Sequence, residues 1–539
     1  MQNRNASPGT SRAKVYLRQN AVAEPLYNQW YAWPYLVSPL TAPMYVGNLH
    51  LRLMESFVSN PQAHVAALKN PEMAGGPFLD FDETRVAAVA RLVEKTRRRS
   101  APLLEFADAV RDLTRILMGR ADGGSLEPLY PSVPDPLRGL VELVYDVNNQ
   151  PSIRFLESLL YRSPAYDETA QSLHFSVVNG DDRPFVFSTP RLEEGDRLGL
   201  SLPFRAEGLD RVFRMRDQPQ ALGYAKEALE ISGPADGRFE ALFTEQAPRP
   251  SESHRGSGVR VRYFGHACVL IETRDTTILT DPVIGYDHGN GSPRFSFADL
   301  PDQIDYVLIT HAHQDHCMLE TLLQLRHKVG HFVVPRNNGG GLADPSLKLV
   351  LEASGFTNVV EIDELDSIET ADGSIVSLPF LGEHGDLNIR SKTTYLVRLL
   401  GKSLLFCADS NAFEPRLYDH LADIVGDLDA AFIGMECDGA PMSWLYGPLM
   451  TSPLARRMDQ SRRLDASDCE RGMELVKRLR PRSVYVYAMG SEPWLTYLTS
   501  IHYSEESRPI VQSRALVRQC LAMGVCAETL FGKKELQLV

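Results

Sequence analysis

The chain has no window approaching twenty uninterrupted apolar residues, so no membrane span is expected. Its first residues, MQNRNASPGTSRAK, are polar and lack the apolar core of a secretory signal. Cysteine is scarce: seven residues in 539, scattered and odd in number, make no disulfide framework. A reducing cytoplasm is the expected setting. Surplus positive charge is also missing, and a net charge of −13 argues against nonspecific nucleic-acid binding over the whole surface. No internal repeat is present.

What is there is 43% hydrophobic and 23% charged, ordinary for a soluble globular protein and too long for one core, so two or more domains are expected. Residues 245–258, EQAPRPSESHRGSG, are rich in Pro, Ser and Gly and read as a linker. This gives an N-terminal domain, 1–250, and a C-terminal domain, 258–539. The first half mixes signals. DETRVAAVARLVEKTRRR and APLLEFADAVRDLTRILMG have helical apolar spacing, and LHFSVVNGDDRPFVFS reads as two strands around an NGDD turn. It holds no catalytic constellation; His50, His64 and His174 stand alone and are read as structural. A recognition or dimerisation role is expected for this half.

After the linker, VRVRYFGHACVLIET reads as an alternating strand and IDYVLIT as a buried one. SIETADGSIVSLPFLG and TTYLVRLLGKSLLFCADSN read as hairpins. Strands with interspersed helices predict an α/β fold of two sheets packed between helices.

IDYVLIT runs straight into THAHQDHCM. His311, His313, Asp315 and His316 form H-x-H-x-D-H, presented from a rigid strand end. His311 and His313 are spaced to converge on one ion, Asp315 and His316 on a second. Mixed imidazole and carboxylate suit Zn, Fe, Mn or Ni, and not Ca or Mg alone. LLFCADSN adds Asp409 at the end of an apolar run, where an aspartate is costly unless paired or metal-bound. Cys317 is read as an inert buried thiol beside the cluster.

This spacing resembles the metallo-β-lactamase superfamily over residues 258–539, with Asp281 in TILTDP expected to buttress a ligand histidine. His266 is expected to support the site or its strand and not to bind metal. The sequence departs from that superfamily twice. The segment due to carry a third histidine reads LPFLGEHGDL, where Glu383 is placed as the ligand and His384 competes with it. After RPRSVYVYAMG, where a last histidine is due, stands Met489; His502 is the only histidine beyond position 420 and is not favoured as a ligand. A site with less imidazole and more carboxylate suits iron that activates O2, whereas Zn²⁺ has no redox chemistry.

The whole layout is similar to the diiron β-hydroxylase of chloramphenicol biosynthesis and its relatives in nonribosomal-peptide pathways, antibiotic-forming systems. The resemblance implies a C-terminal metallo-β-lactamase-like αββα sandwich joined to a large mixed α/β N-terminal domain that supports a homodimer. It implies one iron held by His311, His313 and Glu383, another by Asp315 and His316, and Asp409 bridging, with Glu383 and Asp409 as the catalytic carboxylates. It implies O2 as co-substrate, electrons from an external reductase, and hydroxylation of the β-carbon of an amino acid tethered as a thioester to a carrier domain. No nucleic acid and no membrane are expected as partners.

Two other readings share part of this evidence. One is a binuclear zinc hydrolase, in which the ions lower a bound water's pKa. The other is a non-enzymatic scaffold. Basic runs at 95–100, 456–463 and 477–482 are solvated helix faces or docking sites for an acidic partner, and RRMDQSRR is the one considered for a carrier. Trp444 and Tyr446 are candidates to line a substrate channel, and Glu436 to orient a ligand or meet the substrate amine.

Overall fold

The computed structural model describes residues 13–538 except 71–72, 74, 121, 193–194, 196 and 233–236. The opening residues, read as lacking a secretory signal, therefore lie largely outside the described residues.

The C-terminal half is built from two seven-stranded sheets. In the first, the strands run in the order 359–362, 329–335, 304–308, 277–280, 268–272, 259–265, 534–538. In the second, the order is 367–370, 373–378, 394–399, 402–406, 430–434, 483–487, 526–529. Each sheet opens as antiparallel hairpins and continues as parallel strands joined by helices. The facing surfaces interlock through Val261, Val269, Leu308 and Val333 on one side and Tyr395, Phe406, Phe432 and Tyr487 on the other. Burying each such side chain contributes about 1.5–3 kcal/mol. Helices Arg416–Val425, Cys469–Leu479 and Arg508–Ala522 cover the outer face of the second sheet with Leu421, Val476 and Leu516. This is the αββα sandwich expected from the sequence.

The outer face of the first sheet is covered differently. Its Leu270, Leu279 and Val307 share one core with Trp33, Tyr35, Met44 and Phe175 of the N-terminal half. That half has a four-stranded sheet, in the order 30–31, 21–27, 171–177, 198–200, and two long helices. Val86–Arg99 buries Val89, Leu92, Val93 and Thr96, and Ala101–Gly119 buries Leu103, Phe106, Val110, Leu113 and Leu117, the helical spacing visible in the sequence. Buried charge joins the halves. Arg183 Nη2 lies 2.8 Å from Glu24 and 2.7 Å from Glu320, and Arg191 Nε is 3.0 Å from Glu24. The hydroxyls of Tyr31 and Tyr286 donate to Glu320 at 3.0 and 2.8 Å. Residues 245–258 carry no helix or strand.

Two expectations need correction. VRVRYFGHACVLIET is a hairpin, Val259–Gly265 and Cys268–Glu272, that turns at Gly265–Ala267 with φ of +110° at Gly265 and 51° at His266. Its arginines do not face water, because Arg260 and Arg262 both reach the buried Glu272 at 3.0 Å. RPFVFS forms no strand after Gln171–Val177. Val186 instead donates its N–H to the Tyr497 carbonyl, while Phe185 and Phe187 pack on Trp444.

Candidate dimetal centre

The cluster sits at the edge of the sandwich where the parallel strands of both sheets end. The turn after Ile304–Leu308 folds over itself: His316 and Cys317 donate their N–H groups to the His313 carbonyl at 3.1 and 2.7 Å. The helix Leu319–Leu325 then carries the chain away. Several strand ends are bent by non-glycine residues at positive φ: His266 at 51°, Asp281 at 33°, Ala408 at 45° and Ala488 at 51°. Glu383 is turned likewise, at 66°. Each such conformation costs on the order of 1–3 kcal/mol and persists where surrounding packing enforces it. Gly382, at φ +83°, precedes Glu383; a Cβ there would lie 2.7 Å from Asn411 Cβ. The backbone is thus fixed where it presents the carboxylate.

Every histidine of the turn has one nitrogen anchored and the other turned inward. His311 Nδ1 is bonded to the Thr310 hydroxyl at 3.0 Å, and its Nε2 looks toward Asp409 at 3.8 Å and Glu383 at 4.0 Å. His313 Nε2 is bonded to the Tyr446 hydroxyl at 2.6 Å, and its Nδ1 lies 2.9 Å from Glu383 Oε1. His316 Nδ1 is 2.8 Å from Asp281, and its Nε2 is 3.0 Å from Asp409. Asp281 is held in turn by the Thr310 N–H at 2.7 Å and hydroxyl at 2.6 Å. Such anchoring orients metal-binding imidazoles.

Three donor groups gather here, each within 4.8 Å: His311, His313 and Glu383; His311, His316 and Asp409; and His266, Asp315 and His316. All six residues singled out for metal in the sequence are therefore brought together. Asp409 Oδ2 lies 3.8 Å from His311 Nε2 and 3.0 Å from His316 Nε2, so it stands between these two histidines. His384 stacks on His313, with centroids 4.8 Å apart, and is in none of the three groups. His502 is exposed and outside them as well. Cys317 is fully buried and its thiol is pushed far above its usual range by burial.

His266 was not expected among donors. Its Nδ1 accepts the Gly490 N–H at 3.1 Å, which puts the proton of a neutral ring on Nε2. That nitrogen lies 3.2 Å from His316 Nε2 and 3.4 Å from Asp315, so His266 faces both and can donate to either. Gly490 follows the strand Ser483–Tyr487, where a last histidine was looked for. The ring from the opposite sheet reaches the same place, and only the G-H-A turn in the sequence hinted at it.

The electrostatics call for positive charge. His311 Nε2, Glu383 Oε2 and Asp409 Oδ1 are buried without a hydrogen-bond partner. Burial raises the Glu383 carboxyl to about 7, with Asp409 and Asp315 acting in the same direction and His313 against them. Burial also works against a protonated His316, yet Asp409 and Asp281 outweigh it and hold its pKa well above the usual value. Glu436, at the rim, is held well above the carboxylate range by burial and then by Asp409 and Asp315. Orphaned donors in a mixed imidazole–carboxylate set fit a pair of transition-metal ions.

A cavity of about 360 Å³ opens onto His313, Asp315, Glu383 and Asp409, with Glu436 and Trp444 in its walls. A second cavity of about 520 Å³, lined by Tyr45, Phe185, Phe187 and Met450 among others, adjoins it. Gly75, Gly76, Pro441, Trp444 and Leu445 belong to both. The Trp444 indole N–H donates to the Gly75 carbonyl at 2.9 Å across this partition. Trp444 therefore lines both spaces, while Tyr446 is tied to the cluster itself. Among the described residues no helix is long and apolar enough to cross a membrane.

Comparison with known proteins agrees with this layout. Residues 16–248 match the diiron non-heme β-hydroxylase N-terminal domain, and residues 276–487 match the β-lactamase superfamily domain. A protein of Streptomyces venezuelae, 4-amino-L-phenylalanyl-(CmlP-peptidyl-carrier-protein) 3-hydroxylase, is 42% identical over 97% of this chain and 99% of its own length. The crystal structure of CmlA, a diiron β-hydroxylase from Streptomyces venezuelae, superposes with a TM-score of 0.91 at 40% identity, covering 98% of this chain and 100% of that one. A point mutant of CmlA gives 0.89 at 41% identity, covering 97% and 100%. The chain belongs to the diiron non-heme β-hydroxylases and is a monooxygenase of that family, not a zinc hydrolase.

Proposed function

We propose that this enzyme hydroxylates the β-carbon of an amino acid held as a thioester on a nonribosomal peptide synthetase carrier domain, in a cytoplasmic antibiotic-forming pathway. The observation that carries this reading is the full-length relationship to a hydroxylase named for a carrier-bound aminoacyl substrate. The paired cavities support it, because a tethered substrate has to be threaded to a buried site.

In this reading His311, His313 and Glu383 would hold one iron, Asp315 and His316 the other, and Asp409 would serve both; His311 Nε2, Glu383 Oε2 and Asp409 Oδ1 are the atoms left without a partner in the fold. The iron pair supplies O2 activation and oxygen insertion into the C–H bond, fed by an external reductase. The chain's own residues do the rest. Thr310, Tyr446 and Asp281 fix the three imidazoles, and His266 faces Asp315 and His316. Trp444 and Leu445 divide the metal-facing space from the outer, more apolar one, which suits an extended arm. Glu436 lines the metal-facing cavity, placed to receive the substrate's ammonium group.

The helix Arg456–Ser461 buries no side chain, and Asp459 and Gln460 line the outer cavity. Its Arg456 and Arg457 suit an acidic carrier domain. We take 1–250 as a recognition domain that supports a homodimer, and 258–539 as the catalytic one.

The test is a panel of aminoacyl carrier proteins incubated with reduced enzyme and O2, read by intact mass. Gain of one oxygen atom on a carrier-bound amino acid supports the reading. Oxidation of free amino acids with none of the carrier-bound forms oxidised refutes it.

A further inference from the structure

The outer cavity of about 520 Å³ has two kinds of wall. Where it meets the metal-facing space its lining is Trp444, Leu445 and their neighbours, and Phe185 and Phe187 pack on Trp444. Asn48, Arg52 and Arg111 also line it and have no part in the inner cavity. Arg52 is exposed and Arg111 partly so, which sets this group toward solvent. Asp459 and Gln460 of the helix Arg456–Ser461 complete the same wall.

Asn48 ties the two arginines together. It stands four residues before Arg52 on one continuous helical run, Val46–His50 followed by Leu51–Ser59, so their side chains are neighbours. Arg111 Nη1 donates to Asn48 Oδ1 at 2.7 Å, and Asn48 Nδ2 donates to the Pro448 carbonyl at 2.7 Å. The amide is pinned on both sides and holds the Arg111 fork at the cavity wall. Two carboxylates stand nearby, and both are engaged. Asp459 accepts from the Ser443 N–H at 2.8 Å and its hydroxyl at 2.7 Å, and Asp108 pairs with Arg111 Nη2. A guanidinium carries five N–H donors, so Arg111 keeps others for a further acceptor. Arg52 has no ion pair among the described residues.

We propose that Arg52 and Arg111, set about Asn48, bind the phosphodiester of the pantetheine arm that carries the substrate. This rests on the carrier-thioester reading of the function. Such an arm is joined to its carrier through a phosphodiester, continues as an extended chain of amides with a branched apolar segment, and ends in the thioester. Its one permanent charge therefore lies beside the carrier, and its acyl end lies at the metals. The cavity has the same order. Guanidinium groups at the solvent side match phosphate oxygens by charge-assisted, paired hydrogen bonds. Phe185, Phe187 and Trp444 follow as apolar wall, and Leu445 borders the metal-facing space. The volume lies within the range of small-ligand sites. The phosphate subsite and the helix Arg456–Ser461 meet at one mouth, so a carrier docked on that helix has its arm already at the entrance.

The test is titration calorimetry of the iron-loaded enzyme with pantetheine, phosphopantetheine and inorganic phosphate, on the parent, Arg52→Gln and Arg111→Gln. Phosphopantetheine is expected to bind about tenfold or more tightly than pantetheine, and each variant to shrink that ratio. Arg52→Gln changes an exposed position, which keeps the test decisive if Arg111→Gln, which loses the bond to Asn48, fails to fold. A ratio near one in the parent, or a ratio that neither variant lowers, overturns the proposal. Inorganic phosphate binding as tightly as phosphopantetheine overturns it too, because the site would then take any such anion. Turnover of aminoacyl carrier protein, measured alongside, separates this proposal from the reading it rests on. A parent that oxidises the carrier-bound amino acid without preferring phosphopantetheine refutes the subsite alone. A parent that prefers phosphopantetheine and oxidises no carrier-bound amino acid keeps the subsite and refutes the reading of function.

Discussion

The Tyr446 hydroxyl lies 2.6 Å from His313 Nε2, while the other nitrogen of the same ring faces Glu383 at 2.9 Å. A residue from the short helix Met442–Tyr446 thus sets the orientation of a donor on a strand end 133 residues earlier. The same helix is gripped from the N-terminal half, where the Tyr45 hydroxyl donates to the Leu445 carbonyl at 2.7 Å.

Tyr446→Phe removes that anchor and keeps the ring. Removing a group that orients a metal-bound histidine lowers affinity about 10–100-fold. The variant is expected to retain less iron after dialysis against a competing chelator, with the fold intact by circular dichroism. Unchanged iron retention would show that His313 needs no support.

Metal removal should destabilise the protein, because His311 Nε2, Glu383 Oε2 and Asp409 Oδ1 are then buried without partners. A ligand that binds only the folded state adds about 2.7 kcal/mol at a hundredfold excess over Kd. Iron-loaded enzyme should melt several degrees above the chelated form in calorimetry, and identical melting curves would contradict the assignment.

Arg183 is the junction between Glu24 of the N-terminal sheet and Glu320 of the helix that follows the metal turn. Arg183→Met leaves Glu320 buried without its ion-pair partner, while Glu24 keeps Arg191. Breaking a buried pair in this way costs about 3–5 kcal/mol. The denaturation midpoint is expected to fall accordingly, and a loss below about 1 kcal/mol would mean that the network relaxes into water.

Burial pushes the Glu157 carboxyl up to about 7, against an unfolded value of about 4.3. The folded state therefore binds more protons between those values. The stability this provides is present in full below the unfolded pKa and is lost as pH rises through about 7. Glu157→Gln should flatten this part of the dependence of Tm on pH, and a variant profile parallel to that of the parent would exclude Glu157 as its source.

Reversing Arg456 and Arg457 to Glu should slow turnover of carrier-bound substrate, more at low ionic strength than at high. The iron content should not change, because the helix touches none of the donors. Carrier turnover at the parental rate would remove this helix from the docking surface.

The parts of this centre legible in the sequence were those written contiguously. His311, His313, Asp315 and His316 follow a buried strand without a break, and Asp409 ends an apolar run, so local pattern was enough to place them. Glu383 was placed only through the resemblance to the metallo-β-lactamase superfamily, with His384 competing, and the structure turns Glu383 toward His311 and His313. Tyr446 was picked out only as a channel candidate, since nothing local marks its bond to His313. His266 was expected to support the site, but its place in a hairpin turn was not legible, because the apolar run of VRVRYFGHACVLIET continues through that turn. The missing strand at RPFVFS has a related cause: Phe185 and Phe187 satisfy their apolar preference on Trp444, far along the chain.

The most direct test of the account is the fate of oxygen. Iron-loaded, pre-reduced enzyme is given aminoacyl carrier protein under isotopically heavy dioxygen in ordinary water, and the amino acid is analysed by mass spectrometry. The account predicts one heavy oxygen atom at the β-carbon with the thioester intact. Cleavage of the thioester with oxygen drawn from water, and no dioxygen consumed, would contradict it.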